Sequence, residues 1–200
     1  RGLGDVYKRQ EETVVLDARQ HFARGEQPAD ALLGAAVRHL ERYLEQPFAD
    51  GYRSELLPQL PHWIQAVAGG LKRGAMLFVD YGYPRGEFYR AQREDGTLRA
   101  FYRHRMHTDL YRWPGLQDLT ASVDFTALAE AGTGAGFELA GYCTQANFLL
   151  GNGLDALLTQ ADARTDEVGR MRLRQQVKQL TLPSEMGERF QVMGFARDVD

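Results

Sequence analysis

The sequence has little cysteine, no long apolar run and no large excess of charge. Cys143 is the single cysteine among 200 residues, so the chain cannot form an internal disulfide, and a lone thiol is typical of a reducing compartment. No apolar stretch approaches the roughly 20 residues that a membrane-spanning helix needs, and no signal-peptide pattern is recognisable. The formal net charge of −3 argues against a protein that coats nucleic acid.

Motifs of two common enzyme classes are also missing. The chain has no G-x-S-x-G elbow, which argues against a hydrolase of the doubly wound type. It has no G-x-G-x-G directly after a predicted strand. The glycine-rich segment 132–136 follows a predicted helix instead, so we interpret it as a frayed helix end with a turn rather than a cofactor loop.

The composition is that of an ordinary globular protein with a core. Apolar residues make up 44% and charged residues 26% of the chain. Amphipathic spacing predicts helices near 33–44, 60–71, 125–134, 154–160 and 165–181. Apolar or β-branched runs predict strands near 13–17, 75–79, 97–102, 137–147 and 190–196. A helix that leads directly into a strand, as at 60–79, belongs to an α/β sheet.

The most informative stretch is the apolar run at residues 75–79, which ends in Asp80-Tyr81-Gly82. A strand buried on both faces, as in a parallel sheet covered by helices, has such an unbroken apolar run. In open α/β sheets, ligands bind just beyond the carboxyl ends of such strands. We therefore expect Asp80 to lie at the end of a buried strand, beside a ligand site.

The first ten residues look artificial. Asp5 to Gln10 read Asp-Val-Tyr-Lys-Arg-Gln, which matches the translated end of a sequencing-library adapter. We therefore interpret residues 1–10 as an artefact and expect the natural sequence to enter in the middle of a gene. A native polar arm is the alternative.

Four segments occur in an order that resembles one known family. They are residues 74–84, residues 96–105 with Gly96-Thr97-Leu98 and Tyr102-Arg103-His104-Arg105, residues 115–125 with Gly115-Leu116-Gln117-Asp118-Leu119-Thr120, and residues 141–149. Together they resemble the MidA-like S-adenosylmethionine-dependent methyltransferases, and the resemblance covers nearly all of residues 11–200.

The resemblance implies the C-terminal portion of a doubly wound class I (Rossmann-like) methyltransferase sheet, incomplete at its N-terminal side. Residues 11–200 would then be the C-terminal part of a methyltransferase domain. The implied cofactor is S-adenosylmethionine, but its glycine-rich loop and acidic ribose-binding residue would lie in a missing half. The fragment alone would therefore be inactive.

The resemblance also implies a partner and a location. The mitochondrial members are protein arginine methyltransferases that assist assembly of respiratory complex I, which implies a protein substrate such as a respiratory complex subunit. The implied location is the cytoplasm of a bacterium, or the mitochondrial matrix for eukaryotic relatives. Nucleic acid is not an implied partner.

An arginine acceptor requires carboxylates. The guanidinium is protonated at neutral pH, so carboxylates must hold it and accept the proton that leaves. The candidate catalytic residues are Asp80, Asp118 and Glu55. Asp80 could instead be an aspartate that stabilises a turn. Glu55 could instead be a solvent-exposed charge in a connecting segment. Glu55 matches the family pattern, but Leu57 stands where the family carries an asparagine.

Further polar and aromatic residues are candidates for substrate binding. They are Tyr81, Gly82, Tyr83, Gln117, Thr120 and Asp124. Tyr81 and Tyr83 could wall a substrate channel or form an ordinary core edge. Gln117 and Asp118 could instead pin the loop before the next helix, and Asp124 is predicted to be an N-cap.

A basic and histidine-containing segment lies between these motifs. His104 and His107 have a spacing that suits metal ligands, but no cysteine or acidic cluster accompanies them, and neighbouring arginines repel a cation, so no metal site is predicted. The arginines at positions 99, 103, 105 and 112 could bind an acidic partner segment or form a solvated face.

Two functions of different kinds stay open at this point. The first is a fragment of an S-adenosylmethionine-dependent methyltransferase that acts on protein arginine. The alternative is a non-catalytic binding or assembly module that acts through protein contacts.

Overall fold

The computed structural model describes residues 9–199. Residues 1–8, most of the segment interpreted as an artefact, lie outside the described residues. The chain divides into two compact units: the first combines residues up to 58 with residues 89–121, and the second combines residues 59–88 with residues from 122 onward. No helix among residues 9–199 combines the length and the apolar character needed to cross a membrane.

The described chain is a mixture of helices and strands, as predicted. The helices are α1 Ala31–Leu44, α2 Leu60–Ala68, α3 Arg85–Phe88, α4 Phe125–Gly134, α5 Gln145–Gly151, α6 Leu154–Ala163 and α7 Glu167–Thr181. The strands are β1 Gln10–Leu16, β2 Phe22–Pro28, β3 Gly74–Tyr83, β4 Arg99–Tyr102, β5 Arg105–His107, β6 Asp118–Thr120, β7 Val123–Asp124, β8 Glu138–Thr144 and β9 Phe190–Arg197. The predicted α/β class is confirmed.

The second unit contains a four-stranded sheet in the order β7-β3-β9-β8. β9 runs antiparallel to both of its neighbours, β3 and β8. Within this sheet, the parallel pairing among described residues joins Gly82 and Tyr83 of β3 to Val123 and Asp124 of β7. The expectation of a parallel sheet around the apolar run is therefore wrong for β9, the strand that pairs with most of β3. An apolar run indicates that a strand is buried, but it does not indicate the direction of the adjacent strand.

One face of this sheet carries the core of the second unit. The buried cluster comprises Ile64, Ala68, Phe125, Leu128, Ala131, Phe137, Met193 and Phe195. Met76 and Phe78 of β3 pack against it, whereas Leu77 and Val79 point to the other face and are 54% and 47% exposed. The expectation that residues 75–79 are buried on both faces is therefore wrong, since the described chain covers only one face of β3.

Helix α4 approaches β9 closely because Gly132 lacks a side chain. A Cβ atom on Gly132 would lie 2.3 Å from the ring of Phe195, which is fully buried. Gly136 follows the helix with a φ of +83°, a backbone conformation that favours glycine. The interpretation of residues 132–136 as a helix end with a turn is confirmed.

The segment after β8 differs from the prediction. The expected strand 137–147 ends at Thr144, and α5 begins at Gln145. The Thr144 hydroxyl accepts a hydrogen bond from the Asn147 amide at 3.3 Å and so caps α5. The apolar residues of this short segment suit a strand as well as a helix, so periodicity alone does not separate the two.

In the first unit, β1 and β2 pair along their whole lengths as an antiparallel hairpin. The Asp17 carboxylate closes the turn by accepting hydrogen bonds from the amides of Arg19 at 2.8 Å and His21 at 2.9 Å. The predicted strand near 13–17 corresponds to β1, and it has a partner strand within the described chain. The partner, residues 22–28, is polar and contains glycine and proline, so it carries little strand signal.

The predicted strand near 97–102 corresponds to β4. This strand lies at the centre of a three-stranded antiparallel sheet in the order β5-β4-β6. Because side chains alternate along a strand, Tyr102 shares one face with Arg105 directly opposite, and Phe101 shares the other face with Asp118. Asp118 and Tyr102 therefore lie on opposite faces of this small sheet.

Candidate functional site

Asp80 lies within β3 rather than beyond its end, because the strand continues to Tyr83. It stands opposite Gln191 of β9, near the carboxyl end of β3. Its side chain is exposed, and Oδ1 accepts a hydrogen bond from the Tyr81 amide at 2.8 Å. Within residues 9–199 the Oδ2 atom has no hydrogen-bond partner. Asp80 is therefore an accessible carboxylate with one oxygen available to a ligand.

The three residues after Asp80 have separate roles in the strand. The Tyr81 ring packs edge-on against Phe190 at a centroid distance of 5.5 Å. A Cβ atom on Gly82 would lie 2.2 Å from the carbonyl oxygen of Val123, so a glycine is required for β3 to approach β7. Tyr83 is 38% exposed. Tyr81 thus forms a core edge and Gly82 serves strand packing, whereas Tyr83 offers a ring surface to solvent.

Asp124 is committed to the fold through both of its carboxylate oxygens. Oδ1 accepts a hydrogen bond from the Ala127 amide at 3.0 Å, which confirms the predicted N-cap of α4. Oδ2 accepts from Nε of Arg85 at 3.2 Å. The candidate role of Asp124 in substrate binding therefore competes with two internal contacts.

Arg85 is a buried cation of the second unit, and no local motif in the sequence indicates it. Only 2% of the residue is exposed, and its Nη1 and Nη2 atoms donate to the two oxygens of Glu130 at 2.8 and 2.5 Å. Burial acts to lower the pKa of Arg85, but the hydrogen bonds and charges of Glu130 and Asp124 outweigh it and raise that pKa. Arg85 therefore stays charged and joins α3 to the N-cap and the middle of α4.

Glu55 lies in the first unit with both carboxylate oxygens occupied. Oε1 accepts hydrogen bonds from the amides of Thr97 at 3.0 Å and Leu98 at 2.8 Å. Oε2 accepts from the Thr97 amide at 2.8 Å and the Thr97 hydroxyl at 3.0 Å. The carboxylate therefore holds the turn that precedes β4.

Gly96 allows this carboxylate to sit so close to the backbone. Its φ is +59°, and a Cβ atom there would lie 2.4 Å from Oε1 of Glu55. The hydroxyl of Tyr89 also donates to the carbonyl oxygen of Glu55 at 3.1 Å. The segment around Glu55 is thus fixed by polar contacts to residues about 40 positions later.

Gln117, Asp118 and Thr120 lie at or near β6. The Gln117 amide donates from Nε2 to the carbonyl oxygen of Leu110 at 2.5 Å, a contact that links it to the preceding loop. Its Oε1 atom is buried and has no partner within residues 9–199. Asp118 is exposed, and Thr120 stands opposite Arg99 of β4. Asp118 is therefore an accessible carboxylate of the first unit.

The predicted site residues fall into two groups. Asp80, Tyr81, Gly82, Tyr83 and Asp124 belong to the second unit, where Tyr83 pairs directly with Asp124. Glu55, Gln117, Asp118 and Thr120 belong to the first unit. Each group contains one carboxylate that is occupied by the fold and one that is accessible. Asp124 and Glu55 are occupied, and Asp80 and Asp118 are accessible.

The histidines of the basic segment are not arranged as metal ligands. His104 occupies the turn between β4 and β5 with a φ of +63°, and the His107 ring packs edge-on against Trp113 at 5.2 Å. No group of three or more His, Cys, Asp or Glu side chains suitable for a metal ion occurs within the described residues.

The described residues also do not fit the cofactor that the resemblance implies. The glycine-rich segment 132–136 ends a helix, and the space beside Gly132 is filled by the Phe195 ring. Within residues 9–199 no glycine-rich turn connects a strand to a following helix in the way that a dinucleotide-type loop requires.

Comparisons with known proteins agree on one family. A family model described as "Putative S-adenosyl-L-methionine-dependent methyltransferase" matches residues 6–143. Among solved structures, the chain is similar to an uncharacterised protein of Burkholderia thailandensis, with a TM-score of 0.85 and 38% identity. It is also similar to a second solved structure from that species, of a protein described as a "likely methyl transferase" bound to S-adenosyl-homocysteine, with a TM-score of 0.83 and 37% identity.

The chain spans only part of the length of these relatives. It aligns over 96% of its own residues with 50% and 48% of the two solved structures. The curated protein arginine methyltransferase NDUFAF7 of Danio rerio is 36% identical over 59% of this chain and 26% of that protein. The NDUFAF7 of Bos taurus is 36% identical over 68% of this chain and 30% of that protein.

Proposed function

We propose, because this chain belongs to the family of S-adenosyl-L-methionine-dependent methyltransferases, that its protein transfers a methyl group to an arginine side chain of another protein. The cofactor of the family is S-adenosylmethionine, and one solved relative is bound to S-adenosyl-homocysteine. The arginine acceptor is supported by the curated vertebrate relatives, which are named protein arginine methyltransferases.

The observation that carries the proposal is the state of Asp80. It is an exposed carboxylate near the carboxyl end of β3, and its Oδ2 atom has no hydrogen-bond partner within residues 9–199. The Tyr81 amide fixes the orientation of the group through Oδ1. A carboxylate that is oriented by the backbone but open on one oxygen is suited to receive an N–H group of a guanidinium.

The chemistry assigned to Asp80 is to hold and deprotonate the acceptor. A guanidinium cation has no free lone pair for a methyl group, so a proton must leave the reacting nitrogen. Asp80 binds the guanidinium through Oδ2 and accepts that proton. S-adenosylmethionine, where bound in the whole protein, would supply the methyl group. The positive charge of the acceptor and the negative charge of Asp80 also align the reacting nitrogen.

The other candidates take different places in the proposal. Asp118 is the second accessible carboxylate, and we assign it a substrate-binding role within the first unit. Tyr83 supplies an exposed ring for the acceptor chain. Glu55 and Asp124 act as positioning residues, since all of their carboxylate oxygens are engaged by the fold.

We further propose that the cofactor-binding loop belongs to the half of the solved relatives that this chain does not match. Leu77 and Val79 are exposed on one face of β3. This exposure supports the proposal that the four-stranded sheet is part of a larger, doubly wound sheet. On this proposal, the 200-residue chain alone binds no S-adenosylmethionine. Isothermal titration calorimetry with S-adenosylmethionine should give no binding heat, and a micromolar dissociation constant would contradict the proposed location of the loop.

The assignment of Asp80 is tested in the Burkholderia thailandensis relative that is bound to S-adenosyl-homocysteine. Replacing the residue aligned with Asp80 by asparagine should lower methyl transfer from tritiated S-adenosylmethionine to a protein substrate by about a hundredfold, the typical effect of losing a general base. The melting temperature should change by only a few degrees, because Asp80 is exposed.

A matched variant separates the chemical role from a general loss of charge. Asp155 is exposed in the first turn of α6, so the corresponding Asp155→Asn change should leave methyl transfer intact. If the Asp80 variant lost activity and its melting temperature also fell by much more than a few degrees, the role of Asp80 would be structural. Unchanged activity in that variant would contradict the assignment of Asp80 as the residue that deprotonates the acceptor.

A further inference from the structure

Three arginines of the first unit are exposed and have no carboxylate partner within residues 9–199. They are Arg103 in the turn between β4 and β5, Arg105 at the start of β5, and Arg112 in the loop that follows. Other exposed arginines do find acids, as Arg53 does with Glu12 at 2.8 Å. Unpaired guanidinium groups on one surface form a region of positive potential.

Two aromatic rings join these arginines into one surface. Tyr102 and Trp113 pack against each other with a centroid distance of 4.4 Å. The guanidinium carbon of Arg103 lies 5.3 Å from the Tyr102 ring centre, and that of Arg112 lies 4.4 Å from the Trp113 ring centre. Arg105 stands directly opposite Tyr102 in the β4–β5 register and therefore shares its face. We call these five residues the arginine–aromatic cluster.

The turn that carries this cluster is strained. Arg103 and His104 form a two-residue connection between the paired residues Tyr102 and Arg105, with φ values of +49° and +63°. Such a connection favours asparagine and glycine, because larger residues adopt positive φ only at a cost in free energy. A bulky cation kept in a strained position is an observation that points to a functional role of its side chain.

We propose that the arginine–aromatic cluster is a docking surface for an acidic segment of the protein whose arginine is methylated. The planar guanidinium groups match carboxylates in charge and in bidentate geometry. The ring contacts hold Arg103 and Arg112 in place, so fewer side-chain conformations are lost when a partner binds. This inference rests on the proposed function and adds the chemical class of a segment of the substrate protein.

The geometry favours an acidic polypeptide over a single-stranded nucleic acid. Binding of unpaired bases relies on aromatic faces that stack on them. Here Tyr102 and Trp113 contact each other, and Arg103, Arg112 and His107 contact the same two rings. The whole chain also carries a net charge of −3, which opposes a long polyanion but not a short acidic segment.

The test measures binding of a probe peptide to the 200-residue chain by fluorescence anisotropy. The probe is a fluorescein-labelled peptide in which one arginine lies between two blocks of glutamate, and the same peptide with glutamine blocks serves as the comparison. The chain should bind the glutamate peptide at least about tenfold more tightly than the glutamine peptide at low salt, and higher salt should weaken the binding.

Charge removal within the cluster is compared with equal charge removal elsewhere. The triple variant R103Q/R105Q/R112Q should weaken binding of the glutamate peptide about tenfold. The control R164Q/R172Q/R189Q removes three exposed arginines of the second unit and should leave the affinity within about twofold. Equal losses in the two variants would overturn the docking surface, because only the net charge would then matter.

A second variant keeps the inference testable if the triple variant is poorly folded. Replacing the strained turn by the preferred residues, R103N/H104G, should raise the melting temperature while it weakens peptide binding. A turn whose side chains have no role would give a higher melting temperature with unchanged binding, which would contradict the inference.

Two further probes test the class of partner, and the readout is independent of methyl transfer. Single-stranded oligothymidine and vesicles of anionic phospholipid should compete poorly with the glutamate peptide, and strong competition by either would overturn the assignment to an acidic polypeptide. No methyl donor is present in these measurements. A failure of the Asp80 experiment would therefore leave the binding result standing, and a failure here would leave the Asp80 result standing.

Discussion

The two compact units of this chain are stabilised by different interactions. The second unit has a continuous buried cluster that includes Ile64, Phe125 and Phe195. In the described part of the first unit, the buried apolar side chains are limited to Leu40, Tyr89 and Ala100. That unit relies more on polar links such as the contacts of the Glu55 carboxylate. An apolar core is most sensitive to changes of side-chain volume, whereas a polar link is most sensitive to the loss of a hydrogen-bond partner.

Each unit contains a glycine that something else approaches closely, and the reasons differ. At Gly82 the neighbour is the backbone of β7, at 2.2 Å from a Cβ position. At Gly96 the neighbour is the Glu55 carboxylate, at 2.4 Å. The first contact is fixed by strand pairing, while the second includes a positive φ of +59°. Gly82 is therefore required because no side chain fits there, whereas Gly96 also provides a backbone conformation that favours glycine.

The largest effect is expected for Gly82→Ala. The added methyl group collides with backbone that cannot move without breaking the pairing of β3 with β7. We expect a loss of about 3 kcal/mol in the free energy of unfolding, as for overpacking in a rigid environment. Urea denaturation followed by tryptophan fluorescence measures this change.

Gly86→Ala is the matched control for that prediction. No heavy atom lies within 4 Å of a Cβ position at Gly86, which belongs to the short helix α3. The change should be neutral or slightly stabilising, since alanine favours a helix over glycine. If both variants lost equal stability, the close approach of β3 and β7 would not be the reason.

A smaller effect, confined to the first unit, is expected for Glu55→Ala. The amides of Thr97 and Leu98 lose their acceptor, which costs about 2 kcal/mol for partly buried donors. Hydrogen exchange should accelerate at these two amides and leave that of Phe195 unchanged. Glu55→Gln retains one acceptor oxygen, so it should give an intermediate result, and acceleration throughout the second unit would contradict the separation of the two units.

The smallest effect concerns pH, with one tyrosine in each unit. Burial raises the pKa of Tyr52, although a hydrogen bond with Ser54 opposes it, and burial also raises the pKa of Tyr142. The fold therefore favours the neutral phenol. This contribution to stability is complete below the unfolded pKa of about 10 and is lost as pH rises through the folded pKa.

Tyrosine variants measure that contribution. Tyr52→Phe and Tyr142→Phe should each flatten the decline of the melting temperature between about pH 9 and about pH 11. Both tyrosines respond to burial, so the two units should behave alike in this respect even though their other contacts differ. A steeper alkaline decline in either variant would contradict the sign of the shift.

Local signals in the sequence predict much of the fold. Leu33, Val37, Leu40 and Leu44 predict α1, which spans Ala31–Leu44, because helical period and burial are local properties. Asp124 is predicted as an N-cap for the same reason. Strand β2 is not predicted, because its exposed and polar residues gain their strand conformation from β1 rather than from their own propensity.

The roles of the site residues depend on partners that are distant in sequence. Arg85 meets Asp124 after 39 positions, and Glu55 meets Thr97 after 42. A pattern that reads each residue with its neighbours cannot indicate that these carboxylates are occupied. Asp80 is different, since its hydrogen bond is to the amide of the next residue, Tyr81. Its side chain is exposed at the point where the apolar run of β3 ends. Its proposed role therefore depends least on distant contacts.

The partly paired edge of β3 affects how this chain must be handled. Apart from Gly82 and Tyr83, no residue on that side of β3 pairs with another described strand, and Leu77 and Val79 lie exposed beside it. An accessible row of amides and carbonyls recruits a like strand from a second molecule. Apparent mass in static light scattering should therefore rise with concentration, and titrations are best made on dilute samples.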